Sequence, residues 1–156
     1  MSGALDRWAE WLVRTRYEGY APDEVETLLA ELERVRDRVL ERARISPGDT
    51  VVDVGAGTGL LAVGALEHVG DDGDVVAIDP SVDCLEELRR GCPDARLWYL
   101  LGEADVLPLP DATTDVVLTR SVLIYVRDKN EAACATQCSA APAPAPPANA
   151  GMPSMQ

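Results

Sequence analysis

Three glycines at alternate positions, Gly55, Gly57 and Gly59, form the part of the sequence best suited to bind a ligand. They follow the apolar, β-branched stretch 50–54 and precede the helix-forming stretch 60–69, so the pattern predicts a strand, a tight turn and a helix. Glycine permits such a turn and lets a ligand approach the main chain. The N–H groups that start the helix attract anionic or polar groups. A turn that binds nothing is the structural alternative.

The spacing of these glycines distinguishes two classes of nucleotide-binding loop. A dinucleotide-binding loop has the pattern G-x-G-x-x-G, whereas here Leu60 takes the place of its third glycine. Asp53 lies two residues before the first glycine, and Ala56 and Thr58 lie between the glycines. The resulting pattern is D-x-G-x-G-T-G.

An acidic residue also ends the second predicted strand, 75–78, which is followed by Asp79 and Pro80. Asp79 comes 20 residues after Gly59. A carboxylate at the carboxyl end of a neighbouring strand can accept hydrogen bonds from both ribose hydroxyls of a nucleoside. The alternative is that Asp79, Pro80 and Ser81 form only a turn and a helix N-cap.

A third segment, 102–111, reads Gly-Glu-Ala-Asp-Val-Leu-Pro-Leu-Pro-Asp and follows a predicted strand at 96–101. The glycine pattern, Asp79 and this segment, in that order, resemble the class I S-adenosylmethionine (SAM)-dependent methyltransferases, type 11-like group. The resemblance covers about residues 48–131. It implies SAM as the cofactor and a partial Rossmann-like α/β fold with parallel strands in the order 3-2-1-4.

The resemblance also implies roles for residues near the strand ends. Asp53 and the glycine loop, 55–59, are expected at the cofactor, with Asp79 and Pro80 at its ribose. In the family an acidic side chain of the third segment meets the adenine amino group, and the next N–H meets the ring. By position these are Glu103 and Ala104, with Asp105 as an alternative to Glu103. The fourth predicted strand, within 115–126, is expected to end with Arg120 and Ser121 beside the methionine portion and the methyl acceptor.

The implied reaction is methyl transfer from SAM to an unidentified small-molecule acceptor. The sulfonium already makes the methyl group electrophilic, so the protein mainly aligns donor and acceptor, and no catalytic residue is assigned. A non-catalytic remnant or SAM-binding fragment is one alternative. The other is an NAD(P)-dependent oxidoreductase, which the glycine spacing and the third segment disfavour.

The two ends of the chain differ in character from its middle. Residues 1–46 are expected to form a helical cap on the SAM-binding domain, 47–131. Trp8 and Trp11 recur there at helical spacing and, with Tyr17 and Tyr20, could form a lid over the acceptor, although core packing is the preferred interpretation for the tryptophans.

From residue 132 to 156 the sequence becomes rich in Ala and Pro, and we expect a disordered tail. Members of the family continue with a fifth strand and a terminal hairpin. We therefore expect a truncated or frame-shifted chain with an exposed fourth strand and weak or absent activity.

Composition narrows the classes of function. The 156 residues suffice for one domain, and a net charge of −13 disfavours binding of nucleic acid through a basic face. No apolar run reaches the length that spans a membrane, and the first residues do not resemble a signal peptide, so a cytoplasmic location is expected. The four cysteines match no zinc or redox motif, and no metal site is predicted. The sequence does not indicate an oligomeric state.

Overall fold

A parallel sheet of four strands in the order β3-β2-β1-β4 lies at the centre of the molecule. The computed structural model describes residues 5–139. Its elements, in chain order, are α1 (Arg7–Glu10), a π-helical turn (Trp11–Thr15), α2 (Pro22–Ala43), β1 (Thr50–Val54), α3 (Leu60–Val69), β2 (Asp74–Asp79), α4 (Val82–Gly91), β3 (Leu97–Leu101), β4 (Val116–Thr119) and α5 (Lys129–Ser139). The predicted α/β fold and strand order are confirmed.

The strand β1 lies between two partners, and its register aligns the ends of the sheet. Val54 pairs with Ile78 of β2 and with Thr119 of β4. Strands β1 and β2 are almost wholly buried, as is typical of parallel strands covered on both faces. Because the strands are parallel and in register, the loops that follow them meet at one edge of the sheet.

Apolar side chains cover the two faces of the sheet in different ways. On one face, α3 and α4 pack against the sheet and α2 packs against α3, through residues that include Leu40, Leu66 and Leu88. On the other face, Val52 and Ile78 are packed by the segment that follows β3, which contributes leucines at 107 and 109. The Leu-Pro-Leu-Pro stretch of the third segment therefore supplies part of the core.

The C-terminal part of the sequence differs from its prediction. Residues 132–139 belong to α5, so the predicted start of a disordered tail at residue 132 is wrong for this stretch. It contains three alanines and no proline, which favours a helix. Asp128 caps this helix by accepting from the N–H groups of Asn130 at 2.9 Å and Glu131 at 3.0 Å. The Ala/Pro-rich stretch 140–156 lies outside the described residues.

Among residues 5–139, no helix is both long and apolar enough to cross a membrane.

Candidate functional site

The loop after β1 has the backbone conformation that its glycines predict. Gly55, Gly57 and Gly59 have φ angles of 73°, 55° and 93°, in the left-handed region that favours glycine. A Cβ at Gly55 would overlap Val122, and one at Gly59 would overlap Leu88. A Cβ at Gly57 would meet only a methyl group of a leucine at position 12, at 3.1 Å. Gly55 and Gly59 therefore lie against tightly packed side chains, whereas a Cβ at Gly57 would be crowded only by the end of the Leu12 side chain.

Asp79 connects this loop to the end of β2. Its Oδ2 accepts from the N–H of Gly57 at 2.8 Å, and its Oδ1 accepts from the N–H of Ser81 at 2.9 Å. Burial raises the pKa of Asp79, and the two N–H donors oppose that shift. A carboxylate has about four acceptor positions, so both oxygens can accept a further hydrogen bond from a ligand.

The turn and cap that were the alternative explanation of Asp79 are also present. The side chain of Ser81 accepts from the N–H of Cys84 at 3.0 Å and caps α4. The two explanations are compatible, because the capping oxygen belongs to Ser81 and not to Asp79. The contact between Asp79 and a ribose stays a prediction.

Asp53 lies beneath the glycine loop and is only 2% exposed. Its Oδ2 accepts from the N–H of Ala62 in the first turn of α3 at 3.0 Å. Burial raises the pKa of Asp53 to about 7, the Ala62 N–H opposes the rise, and the charge of Asp79 adds to it. This hydrogen bond holds the start of α3 against β1, so Asp53 positions the loop from below.

The loops after β3 and β4 complete the edge of the sheet. Gly102 donates its N–H to the carbonyl of Asp79 at 3.3 Å, which places Glu103 beside the end of β2. Glu103 is exposed and Asp105 is half-buried. After β4, Ser121 has a φ of 60°, which is uncommon for a residue other than glycine. Such strained positions occur often at functional sites.

These loops surround a cavity of about 890 Å³. Of the predicted site residues, those that line it are Asp53, Gly55, Ala56, Gly57, Thr58, Asp79, Pro80, Glu103, Ala104, Arg120 and Ser121. Gly59 does not line the cavity because it is buried against α4. Asp105, the alternative to Glu103, lines it too, so the choice between these two carboxylates stays open.

Residues 6–16, here called the N-terminal segment, form a further wall of the cavity. The rings of Trp8 and Tyr125 meet edge to face, with centroids 4.8 Å apart. Trp11 lines the cavity and is 45% exposed, so the expectation that the tryptophans pack in the core is wrong for Trp11. In the sequence, the helical spacing of Trp8 and Trp11 indicated this wall, whereas no feature of the sequence indicated Tyr125.

Asp6 attaches the N-terminal segment to α4. Its N–H donates to Oδ2 of Asp83 at 2.5 Å, and its carboxylate accepts from the hydroxyl of Ser81. The same carboxylate caps α1 by accepting from the N–H groups of Trp8 and Ala9. Burial would raise the pKa of Asp6, but these donors outweigh it and leave the pKa below its usual value. The segment is thereby anchored two residues from Asp79.

A family model described as a methyltransferase domain matches residues 51–144. This range exceeds half of the chain and includes the glycine loop, Asp79, the third segment and the end of β4. The chain belongs to the class I SAM-dependent methyltransferases. The match continues past residue 131, where the resemblance was expected to stop.

Curated relatives of this methyltransferase are longer proteins. An arsenite methyltransferase of Halobacterium salinarum is 32% identical over 90 residues, which are 56% of this chain and 23% of that protein. A ubiquinone/menaquinone biosynthesis C-methyltransferase of Teredinibacter turnerae is 34% identical over 100 residues, covering 62% of this chain and 40% of the relative. The chain thus spans less than half the length of these relatives.

The fold of this methyltransferase is shared with solved structures. A SAM-dependent methyltransferase from Aquifex aeolicus superposes with a TM-score of 0.65 at 24% identity, over 79% of this chain and 69% of that one. At this identity the likeness concerns the fold.

SAM is the cofactor of the family, and the residues of this methyltransferase fit it. Gly57 leaves the main chain open toward the cavity, and Asp79 keeps acceptor positions for ribose hydroxyls. The cavity of about 890 Å³ lies within the usual range for small-molecule and cofactor sites, roughly 300–1,000 Å³. Family membership also decides against the NAD(P)-dependent oxidoreductase.

Proposed function

We propose that this chain binds SAM at the carboxyl end of its sheet and transfers a methyl group to a small-molecule acceptor. The observation that carries the proposal is the convergence of the glycine loop, Asp79 and Glu103 on one cavity. In this proposal Gly57 accommodates the close approach of the cofactor, and Asp79 accepts from the ribose. Glu103 and the N–H of Ala104 contact the adenine. The contacts with the glycine loop, the ribose and the adenine would therefore come from residues at the ends of β1, β2 and β3 in turn.

Arg120 and Ser121, with the N-terminal segment, are proposed to hold the methionine portion and the acceptor. Bound SAM supplies an electrophilic methyl group. The residues of the chain orient the two reactants and exclude water. Trp8 and Trp11 form an apolar wall that excludes water from the cavity. The carboxylates nearest the glycine loop, Asp53 and Asp79, already accept from main-chain N–H groups and serve as positioning groups.

The names of the two curated relatives leave the class of acceptor open. One name specifies arsenite, and the other refers to ubiquinone/menaquinone biosynthesis. The acceptor must therefore be inferred from the walls of this chain's own cavity.

Calorimetric titration tests the first part of the proposal, which is the binding of the cofactor. We expect SAM and S-adenosylhomocysteine, its demethylated product, to bind with micromolar dissociation constants, and NADH to show no binding. Transfer is then measured with SAM labelled in its methyl group and a panel of small acceptors. Failure to bind either SAM or its product would overturn the proposal. Tight binding without transfer to any acceptor would instead support a SAM-binding unit that does not catalyse the reaction.

A further inference from the structure

Four arginines line the cavity, although the chain as a whole is acidic. They are Arg7 and Arg16 of the N-terminal segment, and Arg120 and Arg127 after β4. The chain has 14 Lys and Arg residues against 27 Asp and Glu residues. A group of four positively charged side chains is therefore opposite in sign to the net charge of the chain. The group is a local feature of the cavity walls.

The contact between Trp8 and Tyr125 brings two of these arginines, Arg7 and Arg127, to the same cavity. Arg7 precedes Trp8 in the chain, and Arg127 follows Tyr125 by two residues. The ring centroids of this pair are 4.8 Å apart, which joins the N-terminal segment to the loop after β4. The segment thus crosses from its anchor on α4, where Asp6 meets Ser81, to the β4 side of the sheet.

The charges of these arginines are available to a ligand. In the part of the chain that the structure describes, the ion pairs involve other arginines, at positions 36, 90 and 96. The guanidinium of Arg7 lies 4.7 Å from the centroid of the Trp8 ring, and that of Arg16 lies 5.2 Å from the Trp11 ring. Such stacking holds a guanidinium in place, while the N–H donors at its edge can still bind an anion.

The cavity is consequently divided by charge. Of its acidic residues, Asp53 lies in the central strand β1, Asp79 ends β2, and Glu103 and Asp105 follow β3. Arg120 and Arg127 follow β4, on the other side of β1. SAM has one carboxylate and two cationic groups, so a single arginine can neutralise its anionic part. The remaining arginines have no complement in the cofactor, and a neutral or cationic acceptor would leave them unpaired.

We propose that the methyl acceptor is an apolar or aromatic molecule with an anionic group, a carboxylate or phosphate, bound by these arginines. This inference rests on the proposed methyl transfer. Arginine pairs with carboxylate and phosphate through two parallel hydrogen bonds. Trp11, Leu12 and Ile124 line the cavity as well and suit an apolar body.

Three naphthalene probes test the proposal: 2-naphthoate, 2-naphthyl phosphate and the neutral 2-naphthol. Each is titrated into the full chain saturated with S-adenosylhomocysteine. We expect at least one anionic probe to bind about ten-fold more tightly than 2-naphthol, with an affinity that falls as salt is added. The two anions distinguish a carboxylate site from a phosphate site. Equal affinity of all probes, or no binding of any of them, would overturn the inference.

Variants separate this inference from the proposed function. Arg16→Gln and Arg127→Gln should each weaken the preferred anion about five- to ten-fold without changing the affinity for 2-naphthol. Arg127→Gln, which lies outside the N-terminal segment, should also leave the affinity for S-adenosylhomocysteine unchanged. Arg42→Gln, on an exposed position of α2, is the matched control and should change none of these affinities. If the arginine variants weaken the cofactor product alone, the arginines serve its carboxylate and the inference is wrong. If the unaltered chain does not bind that product, the proposed function itself fails.

Discussion

Asp79 is the residue on which the geometry of the glycine loop depends most directly. Asp79→Ala removes both N–H contacts, and we expect the free energy of unfolding to fall by about 1–3 kcal/mol. The affinity for S-adenosylhomocysteine should fall as well, because the proposed ribose acceptor is lost. Urea unfolding and calorimetry measure the two effects. Asp72→Ala, in the exposed turn before β2, is the control. Unchanged affinity in a folded Asp79→Ala chain would show that the cofactor lies elsewhere.

Gly57 and Gly59 have different surroundings, and alanine should affect them differently. Both have positive φ, so each substitution should lower the free energy of unfolding by about 1–2 kcal/mol through backbone strain. Gly59→Ala should lose more stability, because its Cβ overlaps Leu88. Gly57→Ala should lose more affinity for S-adenosylhomocysteine, because its Cβ points toward the cavity. Thermal unfolding and calorimetry on both variants test this; the reverse ranking would contradict the assigned orientations.

Asp53 should make stability depend on pH. An unfolded aspartate loses its proton near pH 4, whereas burial raises the pKa of folded Asp53 to about 7. Between these values the folded chain binds more protons, so the contribution of Asp53 to the free energy of unfolding falls as pH rises. The Asp53→Asn substitution removes this titrating carboxyl group, so the variant lacks its contribution to the pH dependence.

Urea unfolding of the Asp53→Asn variant measures this effect. The stability of the variant relative to the unaltered chain should increase from roughly pH 4 to pH 7 and then level off. The exposed Asp72→Asn variant should show no such increase. If the difference in the free energy of unfolding between the Asp53→Asn variant and the unaltered chain stays constant with pH, Asp53 is ionised throughout this range.

Among the elements, the N-terminal segment is attached to α4 through the hydrogen bonds of Asp6. Asp6→Ala removes the cap of α1 and the contact with Ser81, and loss of an N-cap is worth about 0.5–2 kcal/mol. We expect faster amide hydrogen exchange in residues 8–16 and a red-shifted tryptophan emission, because Trp8 leaves the cavity. Asp23→Ala in the first turn of α2 is the control. Unaltered exchange would show that the ring contact with Tyr125 suffices to hold the segment.

The regular elements were largely predictable from local sequence. Bounds for β1 and α3 coincide with the predicted ones, because apolar runs and glycines mark both ends. The helix α5 was missed because the composition of 132–156 was taken as a whole, although its prolines begin only at position 142. The averaged composition concealed a short helical stretch capped by Asp128.

For the molecule as a whole, the site is formed by loops from all four strands together with the N-terminal segment. A ligand bound there should therefore stabilise the entire fold. At a hundred times its dissociation constant, S-adenosylhomocysteine should add about 2.7 kcal/mol and raise Tm by roughly 5–10 °C. Differential scanning fluorimetry measures the shift, with Asp79→Ala and NADH as controls that should show little. No shift at saturation would contradict a site built from the folded sheet.

The sequence by itself determined the glycine loop, the acidic residue after the second strand and the alternation of strands and helices. These features depend on backbone conformation and on the period of apolar residues, which neighbouring residues encode. Only the tertiary structure decided that Trp8 meets Tyr125, that Asp6 binds Ser81 at a sequence separation of 75 residues, and that four arginines face one cavity. Such contacts join residues far apart in the chain, and their formation depends on how the strands and helices pack rather than on any local pattern.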